Sequence, residues 1–203
     1  MYFKTKDQVF LYPCTLIGYS RLLLLSGAVT WRLLTTTDLP AMRFGVASLI
    51  GLSLLLDLLD GYLARKLGQT TQFGVLLDLA IDLISHTFVW AISGFYLAEL
   101  LIILEWTTGL YIVAFSFKPG GHWKKTFTKA GPFWLRLYFS RNQRNFLSAY
   151  SNISHFIFPI SLYLYQGAVW ISYVALPGLV IYEAATLWMF WILLNSLATH
   201  DRD

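Results

Sequence analysis

A bilayer core is crossed by a helix of about 20 mostly apolar residues, and apolar runs of that length recur along almost the whole of this chain. They predict an all-α polytopic membrane protein with about six transmembrane helices, over roughly 15–34, 42–64, 73–96, 98–117, 146–166 and 169–196. Charge supports that reading. Only 13% of the 203 residues are charged, about half of the roughly 25% usual in soluble domains. Helices of a soluble core are the alternative, and they leave this deficit unexplained.

The basic residues orient the spans. Lys4 and Lys6 precede the first, Arg65 and Lys66 follow the second, and Arg202 follows the sixth. The largest group (Lys118, Lys124, Lys125, Lys129, Arg136, Arg141 and Arg144) lies between the fourth and fifth. Six crossings put all of these on one side, which the positive-inside rule makes cytoplasmic. Arg32 and Arg43, with Asp38 between them, fall on the other. The net charge of +4 thus meets anionic headgroups or phosphate-bearing substrates. Nucleic acid is a poor partner, because the basic group lies between membrane spans. No repeat or soluble module interrupts residues 1–203, which read as a single membrane domain. The first seven residues lack the apolar core and cleavage site of a signal peptide and read as a short juxtamembrane piece. A lone Cys14 excludes an intramolecular disulfide and a cysteine-built metal site. The stretch Trp134-Leu-Arg-Leu-Tyr-Phe, with apolar side chains around a cation, suits a segment lying in the interface. Trp31, Trp106, Trp170 and Trp191 fall near span ends, where indole rings anchor.

Two of the apolar runs carry charges that need a reason. Asp57, Asp60, Gly61, Ala64 and Gly68 share one helical stripe, and Gly74, Asp78 and Asp82 share another. A short polar link, residues 66–72, joins them, so the two helices read as an antiparallel hairpin with facing acidic stripes. Gly61, Ala64 and Gly74 allow close approach of a helix or flat ligand, and Arg65 can answer a phosphate. Four carboxylates so placed repel unless protonated or bridged by cations. An all-oxygen set suits Mg²⁺ or Mn²⁺, which leave positions for substrate phosphates. Two such ions could clamp a diphosphate, and a carboxylate could take the proton of an attacking hydroxyl. These residues point to metal-dependent phosphoryl transfer at a membrane surface. A proton or cation pathway is the alternative that intramembrane acids also allow.

The spacing reads D-x2-D-G-x2-A-R-x8-G-x3-D-x3-D and resembles the signature of the CDP-alcohol phosphatidyltransferase family at all eight defined positions. The resemblance implies six spans, cytoplasmic termini and a homodimer. It implies transfer of a phosphatidyl group from CDP-diacylglycerol, or a phosphoalcohol from a CDP-alcohol, to a hydroxyl acceptor, with release of CMP. Asp57, Asp60 and Asp78 would be metal ligands. Asp82 would be the general base and touch the second metal. Gly61, Ala64, Arg65 and Gly74 would line the cytidine diphosphate site. Within the family, Leu16-Ile17-Gly18-Tyr19-Ser20-Arg21 and Leu135-Arg136-Leu137-Tyr138-Phe139-Ser140-Arg141 are similar to the phosphatidylinositol synthase branch. That branch implies myo-inositol as acceptor, and the endoplasmic reticulum membrane with a cytoplasmic active site (the inner membrane for a bacterial homologue). Thr15 stands where an Asn precedes the branch's Leu-Ile-Gly-Tyr, and Glu105-Trp-Thr-Thr-Gly replaces its fourth-span Asp and His-Trp. Glycerol 3-phosphate, phosphatidylglycerol and serine stay open as acceptors, as does a non-catalytic lipid-binding relative.

Arg136, Arg141 and Arg144 are candidates for an acceptor pocket, since a guanidinium offers several fixed donors to a polyol or phosphate. Holding the loop against anionic lipid is the alternative. His86 reads as a helix-packing side chain, His122 and His155 show no metal-ligand spacing, and Glu105 and Glu183 read as isolated intramembrane acids. Asn152 and Asn195 read as interhelical hydrogen-bonding groups.

Overall fold

The computed structural model describes residues 6–116 and 131–200, and its regular structure there is helical. Lys4, Lys118, His122, Lys124, Lys125, Lys129 and Arg202, which figure in the charge argument, lie outside the described residues. A 3-10 turn, Lys6–Leu11, leads into α1 (Pro13–Leu34), α2 (Pro40–Lys66), α3 (Gln72–Ser93) and α4 (Ala98–Ser116). After the undescribed stretch come the short α5 (Phe133–Phe139), a 3-10 turn (Ser140–Gln143), α6 (Phe146–Tyr165) and α7 (Trp170–His200). The six long helices begin and end within a few residues of the expected spans.

Local chemistry sets these ends. Pro13 and Pro40 open α1 and α2, where a missing N–H costs nothing and the fixed φ suits a helix. α2 stops before Gly68, whose left-handed φ of +61° takes it off the helical stripe expected for it. There the N–H of Gln69 bonds the carbonyl of Ala64 at 2.8 Å and that of Gly68 bonds Arg65 at 3.3 Å, a Schellman closure. Three residues later Thr71 Oγ1 accepts from the Gly74 N–H at 3.0 Å and caps α3. The polar link between the acidic helices is therefore a fixed stop and start.

Among the described residues three helices are long and apolar enough to cross a membrane: Pro40–Lys66, Gln72–Ser93 and Trp170–Asn195. Many of their large apolar side chains face outward, among them Leu55, Leu58, Val180 and Leu187. A soluble protein rarely shows so much contiguous apolar surface, whereas a lipid-facing helix requires it. Trp31, Trp106, Trp170 and Trp191 are all exposed.

The chain divides into two compact units, Met1–Phe88 and Val89–Asp203. In the first, α1 packs along α2. In the second, α7 packs on both α6 and α4. Its interior holds one cluster around Trp90, Ala98, Phe158, Ala175 and Leu179 and another around Leu135, Tyr138, Phe139, Ala185 and Leu193. The α6–α7 seam combines Phe158, Ala175 and Leu179 with small polar residues. Ser148, Ser151, Ser154 and Ser161 are buried on α6, and Ser161 Oγ meets Ser172 Oγ at 2.7 Å. Membrane helices associate through such close contacts because apolar burial gives them no advantage over lipid.

Gly178 of α7 lies directly against Ser154 and Tyr150 of α6, so a methyl there collides with both. Gly178→Ala is expected to cost about 1–3 kcal/mol of stability. Gly51→Ala, where a Cβ meets nothing within 4 Å, leaves stability unchanged or slightly raised. Thermal unfolding of the two variants in detergent checks the contrast.

Candidate functional site

The acidic residues come together around a side chain that the motif does not contain. α1 approaches α3 at Gly18, where an added Cβ would sit 3.0 Å from Leu77 and 3.6 Å from Ile81. Leu77 and Ile81 immediately precede Asp78 and Asp82 in sequence. That glycine lies one helical turn before Arg21, so the close approach brings the Arg21 guanidinium to the acids. Nη1 of Arg21 lies 2.6 Å from Asp57, 3.1 Å from Asp60 and 2.7 Å from Asp78, and Nη2 lies 2.8 Å from Asp82. One buried cation from α1 thus joins both acidic stripes, two carboxylates from α2 and two from α3.

The cluster is one-sided. Arg21 is wholly buried, whereas the side chains of Asp57, Asp78 and Asp82 are 35%, 48% and 39% exposed. The guanidinium forms the floor and the carboxylates form the rim. Four carboxylates against one guanidinium leave a formal charge of −3, and the rim is where further cations can neutralise it. Asp57, Asp60 and Asp78 each offer an oxygen within 4.8 Å of the others. Hard, anionic oxygens at that separation fit Mg²⁺ or Mn²⁺ by donor type. Asp82 stands apart from this trio, on the other guanidinium nitrogen.

The remaining motif residues line the same hairpin. The Arg65 side chain folds back over Gly61, whose absent Cβ would lie 3.2 Å from Arg65 Nη1. Arg65 is exposed. Ala64 and Gly74 take part through their backbone groups in the closure of α2 and the cap of α3. An apolar groove of about 300 Å³, lined by Leu22, Leu25, Ser26, Val29, Thr30 and Ile84, starts one residue beyond Arg21 on α1. Thr15 is buried and donates to the Val9 carbonyl at 2.9 Å, tying the entry turn to α1.

Arg136, Arg141 and Arg144 belong to the second unit and are exposed. Arg136 projects from α5, whose Leu135, Tyr138 and Phe139 are buried. Asn145 fastens the following turn: its Nδ2 donates to the carbonyls of Leu137, Tyr138 and Ser140 at 2.9–3.1 Å, and its Oδ1 caps α6 at Ser148. Ser148 also donates a short hydrogen bond to the Tyr138 carbonyl. Burial, with Glu183 adding to it, raises the pKa of the Tyr138 phenol, so its hydroxyl stays protonated and donates to Asn152 Oδ1 at 3.1 Å. Arg141 and Gln143 adopt left-handed φ angles of 52° and 63°, a conformation that costs non-glycine residues about 1 kcal/mol or more and persists where surroundings enforce it.

Glu105 and Glu183, expected as isolated acids, are not isolated. His155 places Nε2 2.9 Å from Glu105 and Nδ1 3.2 Å from Glu183. Neither this triad nor the role of Arg21 follows from spacing, because each joins helices far apart in sequence. One sign was available for Arg21: an arginine in the middle of an apolar run has to find a carboxylate.

No solved structure matches the chain. Curated relatives named CDP-diacylglycerol–inositol 3-phosphatidyltransferase do match. That of Rattus norvegicus is 29% identical over 118 residues, covering 58% of this chain and 49% of its own length. That of Schizosaccharomyces pombe is 33% identical over 118 residues, covering 55% and 48%, and that of Homo sapiens is 28% identical over 117 residues, covering 58% and 48%. The matches span about half the length of these relatives. The family model described as CDP-alcohol phosphatidyltransferase matches residues 12–198, a stretch that holds Arg21 and every acid it gathers. With all but the ends of the chain matched, this protein belongs to the CDP-alcohol phosphatidyltransferase family.

Proposed function

We propose that this protein transfers a phosphatidyl group from CDP-diacylglycerol to the hydroxyl of myo-inositol, releasing CMP. The observation that carries the reading is the convergence of Asp57, Asp60, Asp78 and Asp82 on Arg21 at the end of an apolar hairpin. The names of the relatives support the acceptor.

Asp57, Asp60 and Asp78, with Asp82 beside them, would hold two divalent ions, Mg²⁺ or Mn²⁺. Bound there, the ions would offset the charge of the diphosphate and stabilise the departing phosphate oxygen. Arg21 keeps the carboxylates converged against their mutual repulsion. Gly61, Ala64 and Gly74 leave room for the cytidine diphosphate, with Arg65 beside its phosphates, and the apolar groove beyond Arg21 offers the diacylglycerol a surface compatible with its chains. Asp82 takes the proton of the acceptor hydroxyl as its oxygen attacks the phosphorus that bears the diacylglycerol. The bond from that phosphorus to the CMP oxygen breaks in line, and CMP leaves with the electron pair. Arg136, Arg141 and Arg144 would bind the polyol.

The same reading places six crossings in the membrane of the endoplasmic reticulum, with the acids facing the cytoplasm and two copies associating. The 22, 19 and 20 residues of α1, α4 and α6 reach about 28–33 Å at 1.5 Å per residue, matching a hydrocarbon core of about 30 Å. The whole of residues 1–203 then acts as one membrane domain.

CMP release by the purified protein in mixed micelles is the test. Release is expected with CDP-diacylglycerol and myo-inositol, to stop on chelation, and to return with Mg²⁺ or Mn²⁺. Asp82→Asn is expected to lower it at least about a hundredfold, the contribution of a general base. Release with glycerol 3-phosphate, phosphatidylglycerol or serine instead would replace the acceptor. Absence of release with all of them, from folded protein, would refute catalysis of this transfer.

The arginines have their own test. Arg136→Gln and Arg141→Gln are each expected to raise the acceptor KM about tenfold, the worth of a hydrogen bond to a charged group, with little change in the donor KM. An unchanged acceptor KM in both would return these cations to the lipid surface.

A further inference from the structure

The second unit holds a buried charge cluster that the proposed chemistry does not use. Glu105 comes from α4, His155 from α6 and Glu183 from α7, and His155 is 1% exposed. A neutral imidazole has a single N–H, yet each nitrogen of His155 faces a carboxylate oxygen, at 2.9 Å and 3.2 Å. Two carboxylates on opposite sides of one ring favour the imidazolium, which both attract. Tyr182 stacks on the ring at 4.0 Å and Trp90 meets it edge-on at 5.5 Å, closing it from solvent. Charges in such surroundings attract strongly and hold their partners in one arrangement.

What the arrangement fixes is visible along the same three helices. The seat of α5 is made by Ile112 of α4, Leu147 of α6 and Leu193 of α7, among others, packed around Leu135, Tyr138 and Phe139. Ile112 is seven residues from Glu105, Leu147 eight from His155 and Leu193 ten from Glu183. At 1.5 Å per residue the seat lies about 10–12 Å from the triad along α4 and α6, and on α7 it runs from Ala185, two residues from Glu183, to Leu193. A slip of α4, α6 or α7 that broke the triad would also take the seat apart.

We propose that Glu105, His155 and Glu183 are positioning residues. By locking the register of α4, α6 and α7 they hold α5, and with it Arg136 and Arg141, in place. Its functional arm rests on the reading of those arginines as acceptor contacts; its structural arm does not.

Amide hydrogen exchange on the purified full chain in micelles separates the two. Glu105→Gln removes the ionic tie from His155 to α4 and Glu183→Gln the tie to α7, each leaving the other pair in place, and they are expected to speed exchange in residues 133–139 about tenfold or more while leaving 13–34 unchanged. Glu183→Asp keeps the charge, perturbs folding less, and is expected to recover most of the protection. In the CMP-release assay the Gln variants are expected to raise the acceptor KM and leave the donor KM near its starting value. Faster exchange in 133–139 with an unchanged acceptor KM would support the positioning of α5 and remove the arginines from the acceptor site. Unchanged exchange in 133–139, or equal acceleration in 13–34, would overturn the proposal.

Discussion

Everything in the first unit turns on the Arg21 guanidinium. A lone arginine buried between apolar helices is costly, and so are four crowded carboxylates. Each is tolerable because of the other. The 2.6–3.1 Å contacts bind α1 to both arms of the acidic hairpin, so the interaction that holds three helices together also builds the site. The balance is incomplete. One positive charge against four leaves the rim negative, and the exposed sides of Asp57, Asp78 and Asp82 are where that excess meets water, ions or a ligand. A fully neutralised cluster would be a better staple and would offer less to a cation.

The second unit resolves a similar difficulty with a different balance. Two glutamates and one histidine are nearly shut off from solvent, and aromatic rings cover the centre. Forming a buried ion pair gains little against its desolvation, whereas breaking one is costly. Small serines along α6 let α7 approach closely enough for the histidine to reach both acids. Above them α5 is fastened by apolar side chains on one face and by Asn145 and Ser148 at its end. A seven-residue helix cannot hold itself together in isolation, so its shape comes from this support.

Much of this was legible in the residues. Long apolar runs located the six long helices among the described residues to within a few residues. Three of these are long and apolar enough to cross a membrane, where a backbone has few ways to satisfy its hydrogen bonds. The acidic stripes were legible because helical spacing puts Asp57 with Asp60 and Asp78 with Asp82, and the family followed from the motif. Trp134-Leu-Arg-Leu-Tyr-Phe was expected to lie in the interface; α5 buries Leu135, Tyr138 and Phe139 and leaves Arg136 exposed. The triad escaped notice because Glu105, His155 and Glu183 carry no local pattern. Each alone looks like an isolated polar residue in an apolar helix.

The sequence by itself determined what short-range physics can encode: the helices, the acidic faces and the family. Periodicity, capping and composition act over a few residues, and they are written in consecutive letters. Tertiary structure alone decided that Arg21 is the counter-ion of all four acids, across separations of 36 to 61 residues, and that His155 joins two distant glutamates. Charge neutralisation inside an apolar bundle is a condition on the whole fold. Sequence shows which charges need a partner, and only packing shows which partner each one gets.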